Sequence, residues 1–120
     1  MHTDITMANL TLVTSIPPQV ICKGEVFSIS MHVHDDGSNF NWTNFTPVGK
    51  ITVGTITITG SGSVVNAGGG TATVSWTAAQ TLTVDANAWG TIVLYADPTS
   101  GSENRHIATI FARITAESIP

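Results

Sequence analysis

The sequence predicts an all-β domain: an antiparallel sandwich of about seven short strands with at most one short helical turn. Three observations carry this. Apolar residues recur at every second position in several runs, turn-forming Gly, Pro, Asn and Asp separate those runs, and only one short stretch has helical potential.

Leu10, Leu12 and Val13 begin a short strand that Pro17-Pro18 must end, because proline has no N–H to give to a ladder. From Val26 to His34, Phe27, Ile29, Met31 and Val33 fall on one side, and Ser28, Ser30, His32 and His34 on the other. That two-residue period belongs to a half-buried strand, not to a helix. Asp35-Asp36-Gly37-Ser38 supplies the next turn, since Asp bonds its own backbone and Gly accepts positive φ.

Lys50 to Thr59 reads as a second long β segment in which Ile51 and Val53 share one parity and Ile56 and Ile58 the other. A bulge or tight bend at Gly54 restores the inward face. Gly60-Ser61-Gly62 breaks the chain and Ser63 to Asn66 resumes it. Ala67-Gly68-Gly69-Gly70 then turns into Thr71 to Trp76, where Ala72, Val74 and Trp76 alternate with Thr71, Thr73 and Ser75. Thr77 with Gln80 has the form of a capping box, enough for one helical turn. Trp89 to Tyr95 and His106 to Ile114 are the last strands, joined through Asp97-Pro98-Thr99-Ser100-Gly101 and expected to pair.

In the final strand Ile107, Thr109, Phe111 and Arg113 oppose His106, Ala108, Ile110, Ala112 and Ile114, so both faces are largely apolar. The face carrying Ala108, Ile110 and Ala112 is expected to meet a neighbouring subunit, and Ala108→Glu to break that contact. These elements specify an immunoglobulin-like sandwich, with an open barrel as the alternative. A Cys-Trp-Cys framework of the antibody type is absent from the sequence.

The chain has 120 residues and 12.5 kDa, one domain with one core, in which 1–9 and 115–120 are candidate terminal arms. Only 10% of residues are Asp, Glu, Lys or Arg, and Thr, Ser, Gly and Asn fill the positions charges normally take. A surface so weakly charged offers little repulsion between copies, which suits a homo-oligomeric subunit. Four basic residues against a net charge of −4 leave no footprint for a nucleic-acid partner. No window has the apolar length of a membrane span, and Met1-His2-Thr3-Asp4 lacks the basic flank of a signal peptide.

The single cysteine, Cys22, excludes an internal disulfide and suits a reducing cytosol. It follows the apolar pair Val20-Ile21, which favours a small buried filler over a nucleophile. Asn9, Asn41 and Asn44 match the glycosylation pattern, as an Asn- and Thr-rich chain does by chance.

His32 and His34, two apart on one strand, project from the same face and are weak metal candidates, with His106 as a third ligand only if the last strand lies beside theirs. Two imidazoles fall short of the three or four ligands a site needs, so no metal or cofactor is expected. Asp35, Asp36, Asp85 and Asp97 fall in predicted turns, where Asx capping explains them. Gly68-Gly69-Gly70 has no following lysine and helix, so it reads as a hairpin tip. No catalytic residue emerges. Phe40, Trp42 and Phe45 put three aromatics within six residues: core plugs under a long loop, or an exposed patch for a protein or a sugar ring.

The order of Lys23-Gly24-Glu25-Val26-Phe27, Asp35-Asp36-Gly37-Ser38, Trp42-Thr43-Asn44-Phe45-Thr46 and Ala78-Ala79-Gln80-Thr81 before a terminal hairpin resembles the small β-domain of upper-baseplate proteins in tailed phages, and related stand-alone virion proteins. The similarity spans residues 20–115; the Gly-rich tip at 67–70 departs from it, and the fibre-forming portion of such proteins is absent. The resemblance implies a non-enzymatic virion protein, made in the host cytoplasm and assembled in many copies. As a tail, baseplate or fibre adaptor it would hold neighbouring tail proteins; as a head decoration protein it would clamp the major capsid protein. A carbohydrate-binding or adhesive sandwich is a further alternative, with segment 40–45 as its site.

Overall fold

The computed structural model describes residues 10–99 and 103–116. The candidate arms fall almost wholly outside these residues, as do Asn9 and part of the turn after Asp97. In chain order the elements are β1 (Thr11–Leu12), β2 (Gln19–Cys22), β3 (Phe27–Asp35), β4 (Ser38–Asn39), β5 (Phe45–Val53), β6 (Ile56–Thr59), β7 (Ser61–Asn66), β8 (Thr71–Trp76), the helical turn α1 (Ala78–Thr81), β9 (Ala88–Pro98) and β10 (Arg105–Thr115).

They form two sheets. Sheet A runs β1-β3-β8-β7 with β4 also on β3, and sheet B runs β2-β10-β9-β5-β6. The first strand ends at Leu12, short of the Pro17-Pro18 pair expected to end it; the prolines instead stand directly before β2, where the chain has crossed from sheet A to sheet B and lies parallel to β10. This is the A-B-E-D and C-F-G strand order of the immunoglobulin sandwich, extended by a strand beyond C and by the crossed-over first strand beside the last. The fold is an all-β immunoglobulin-like sandwich.

Local chemistry accounts for the turns. Asp36 and Gly37 both have positive φ, 52° and 82°, the mirror-image turn that matches strand twist in a two-residue hairpin. At Gly54 the bend is complete: φ is +61° and the predicted single segment is a hairpin of β5 and β6. β5 also starts earlier than its alternation suggested, at Phe45. Pro47 is tolerated inside it because the β6 ladder covers only Lys50–Val53, so no ladder bond is lost at Pro47, whose carbonyl instead meets Gly62 of β7. Thr77 and Gln80 cap α1 reciprocally, as their spacing predicts.

The core lies between the sheets. From sheet A it takes Ile29, Met31, Val33, Ala72, Val74 and Trp76, and from sheet B Ile51, Val53, Ile92, Leu94, Ile110, Ala112 and Ile114. An antibody-type domain places its buried tryptophan on the third strand of the fold, beside a disulfide. Here Trp76 comes from the opposite sheet, on β8, and the facing strand carries Gly49, whose hydrogen leaves room for the indole. Phe27, expected in this core, is half-buried against the Trp76 ring at 5.5 Å.

Candidate functional site

Three exposed large side chains share one surface, the outer face of sheet B: Val20, Trp89 and Phe111, at 64%, 68% and 66% exposure. The registers place them in rows. Val20 stands opposite Arg113, which stands opposite Trp89. The next row is Phe111, Thr91, Thr52 and Thr57, and the one after it Thr109, Val93, Lys50 and Thr59. Trp89 and Phe111 are therefore diagonal neighbours on adjacent strands. Lys50 and Arg113 are the cations of these rows, and the Lys50 ammonium sits 5.9 Å from the centre of the Tyr95 ring. Fully burying an aromatic of this size removes roughly 150–250 Å² from water, so two of them as diagonal neighbours on one face make an exposed apolar patch rather than scattered exposure.

This face is the reverse of the one expected from β10. A register shift between His106 and Ala108 lets Ile107 and Ile110 both point inward, after which Ala112 and Ile114 follow. Ala108 packs partly buried on the core, and Ile110 and Ala112 are buried in it at 5% and 0% exposure. None of the three is available to a neighbour in the folded chain. Ala108→Glu would put its charge at the core.

The aromatic segment also lies inside. Phe40 and Trp42 are 2% and 1% exposed, their rings meet edge to face at 4.9 Å, and Phe45 packs half-buried against Phe40 at the same centroid distance. These are core plugs under the connection from β4 to β5, not an exposed patch.

The remaining candidates are held by neighbours. His32 and His34 do share a face, with rings edge to face at 5.4 Å, but His32 Nε2 bonds Asn39 Oδ1 at 2.8 Å. His106 lies on β10 in the other sheet and bonds Thr109. Among the described residues no three His, Cys, Asp or Glu side chains converge as metal ligands would. Cys22 is half-buried rather than a core filler, its thiol directed at the Ala116 carbonyl at 3.4 Å. Asp97 belongs to β9, not to a turn.

Asp35 is not a simple turn cap either. Arg105, 9% exposed, makes two bonds to its carboxylate, at 2.9 and 3.1 Å, and lies 5.7 Å from the Phe40 ring centre. The hydrogen bond from Arg105, with its charge, holds the Asp35 carboxyl below its usual range against the opposing effect of burial. A carboxyl depressed in the folded state stabilises the fold above its unfolded pKa, near 3.8, and loses that contribution as pH falls through the folded value. Asp35→Asn should therefore lower Tm at pH 7, with the gap to wild type closing as pH falls below the unfolded pKa and through the folded one. A gap that stays constant across that range would show the pair does not set acid stability.

Sheet A presents a different outer surface, of hydroxyls. Ser28 bonds Ser75 at 2.7 Å and Ser30 lies 3.3 Å from Thr73. A groove of about 480 Å³ crosses it from Thr14–Pro17 over His32 and Thr73 to Val65. Within the described residues no helix is long and apolar enough to cross a membrane.

No protein-family model matches the chain, and no curated protein matches its sequence. Among solved structures it is similar to the M4 domain of titin, at 9% identity and TM-score 0.45 over 92% of this chain and 97% of that one. It is similar also to a complex of titin M10 with an obscurin-like 1 immunoglobulin domain, at 15% identity and TM-score 0.46 over 95% and 100%. Domains 4 and 5 of the S-layer protein SbsC match at 17% identity and TM-score 0.46 over 92% of this chain and 53% of that one. At such scores the fold rests on the strand order described above.

Proposed function

We propose that this chain is a non-enzymatic structural protein of a tailed-phage virion, present in many copies as a tail, baseplate or fibre adaptor. The observation that carries an assembly role is the exposed cluster of Val20, Trp89 and Phe111 over two adjacent rows of the outer face of sheet B, set among threonines with two cations. Aromatic side chains and arginine on a flat surface are the composition of a protein-docking centre. The virion and its tail come from the resemblance of residues 20–115 alone. Decoration of a capsid needs the same kind of surface, so the partner separates the two. The sugar-binding alternative loses its sequence basis, because Phe40 and Trp42 are in the core.

The test is binding of the purified chain to tails, and to undecorated capsids, of the phage that encodes it. Phe111→Glu is expected to leave Tm within the small range of surface substitutions and to weaken that binding about tenfold or more. Tail binding favours the adaptor and capsid binding the cement protein. A wild-type chain that binds neither sinks the virion reading.

A further inference from the structure

The two flanks of the sandwich are protected unequally. On one, β1 is two residues long, Pro17-Pro18 precede β2 and Lys23 follows it. On the other, β6 and β7 end their sheets and meet at Gly60. From Ile51 to Val84 the sequence has no charged residue, no histidine and no proline. Edge strands are normally blunted by charge, proline, a bulge or a covering segment, since an open row of backbone donors and acceptors is a template for another strand. β6 is partly covered, because Gln80 donates to the Thr59 carbonyl at 2.6 Å. β7 has a bulge near its far end, between Val64 and Asn66, and at its start the inner face of Gly62 packs on the Pro47 carbonyl of β5, which leaves the in-plane side away from β8 uncovered by another strand. Its exposed valines, Val64 and Val65, lie at that edge.

The pairing pattern shows which groups are open. Val33 donates to the Gly70 carbonyl and Met31 opposes Ala72, so Gly70, Ala72 and Val74 turn their backbone groups toward β3. Thr73 and Ser75 then turn theirs toward β7, where they meet Ser63 and Ser61. By the same alternation the N–H and C=O groups of Gly62 and Val64 point away from β8, to the open side.

We propose that β7 is a strand-addition edge that pairs antiparallel with β7 of a second copy of this chain, about a two-fold axis at Ser63. Gly62 and Val64 of one copy exchange hydrogen bonds with Val64 and Gly62 of the other, and sheet A continues across the axis. Ser63 then faces its own counterpart in a pair without mutual backbone bonds, with Cα atoms about 4.5 Å apart. The occupant is a second copy for two reasons. An antiparallel edge is self-complementary under a two-fold, supplying donor and acceptor alike. Copies of net charge −4 repel least where they meet through a stretch without charges. The inference rests on the multi-copy part of the reading above and uses a different surface.

Sedimentation equilibrium of the full chain should give twice 12.5 kDa. Val64→Pro removes an outward N–H without touching the ladder to β8, and should give the monomer mass with an unchanged far-ultraviolet spectrum. Val64→Lys, which keeps the N–H but charges the edge, should weaken the dimer at least tenfold and guards against misfolding of the proline variant. Ser63→Cys in a Cys22→Ser background should cross-link between copies when oxidised glutathione accepts the two electrons of the new disulfide. A monomeric wild type, or a dimer that survives both Val64 substitutions, overturns the proposal. So does a dimer lost with Phe111→Glu but not with Val64→Lys. A dimer that binds neither tails nor capsids would leave the pairing intact and remove only the virion reading, whereas a monomer that binds them would do the reverse.

Discussion

Trp76→Ala should leave a chain that does not fold at 37 °C or folds marginally. The indole is fully buried, its Nε1 donates to the Ile58 carbonyl at 3.1 Å, and it bridges the two sheets from β8. The structure is shaped around it: a Cβ at Gly49 would lie 2.7 Å from the ring, and one at Gly60 equally close. Two glycines cannot fill the space an indole leaves, so the cavity should collapse poorly, at the upper end of the roughly 3–5 kcal/mol typical of Trp→Ala. Small domains have about 5–15 kcal/mol in total. Chemical denaturation measures the loss directly, and a loss below about 1.5 kcal/mol would mean the sheets do not depend on this ring.

The second large effect is at Trp42, where two substitutions should diverge. Trp42→Ala removes a ring 1% exposed and packed edge to face on Phe40, so about 3–5 kcal/mol is expected. Trp42 Nε1, however, is buried with no hydrogen-bond acceptor among the described residues. A donor stripped of water and left unpaired costs about 1–3 kcal/mol. Trp42→Phe deletes that donor while keeping an aromatic ring, and the relief offsets much of the lost volume. Its expected net effect is within about 1 kcal/mol of wild type. Denaturation of both variants decides it; equal losses would show that the N–H is satisfied after all, and an unaffected Ala variant would return the segment to the surface.

The fold was legible in the sequence where one face is buried and the other wet. In β3 and β8 the alternation of Ile29, Met31 and Val33, or of Ala72, Val74 and Trp76, with Ser and Thr leaves one register possible. β10 has apolar residues at both parities, so alternation could not choose, and the irregularity after His106 changed the phase of its first residues. A usable signal was present: Arg113 shares parity with Phe111, and a guanidinium two residues along marks the wet face. The Arg105–Asp35 pair was not legible at all, since it joins positions 70 apart in sequence and a turn explained Asp35 locally. The bare flank was readable from Ile51 to Val84, but only the topology reveals that this uncharged stretch supplies both outermost strands on one side.

The parallel seam between β2 and β10 gives the molecule a mechanical grain. Val20 lies beside Arg113 and Ile21 beside Ile114, with the chain entering at one end of the seam and leaving at the other. Tension applied through the two chain directions slides these strands past each other, so the bonds between them are loaded together in shear instead of being peeled one at a time. A subunit loaded through the segment before β2 and the segment after β10 would then resist being pulled apart where an early strand and the last one lie side by side.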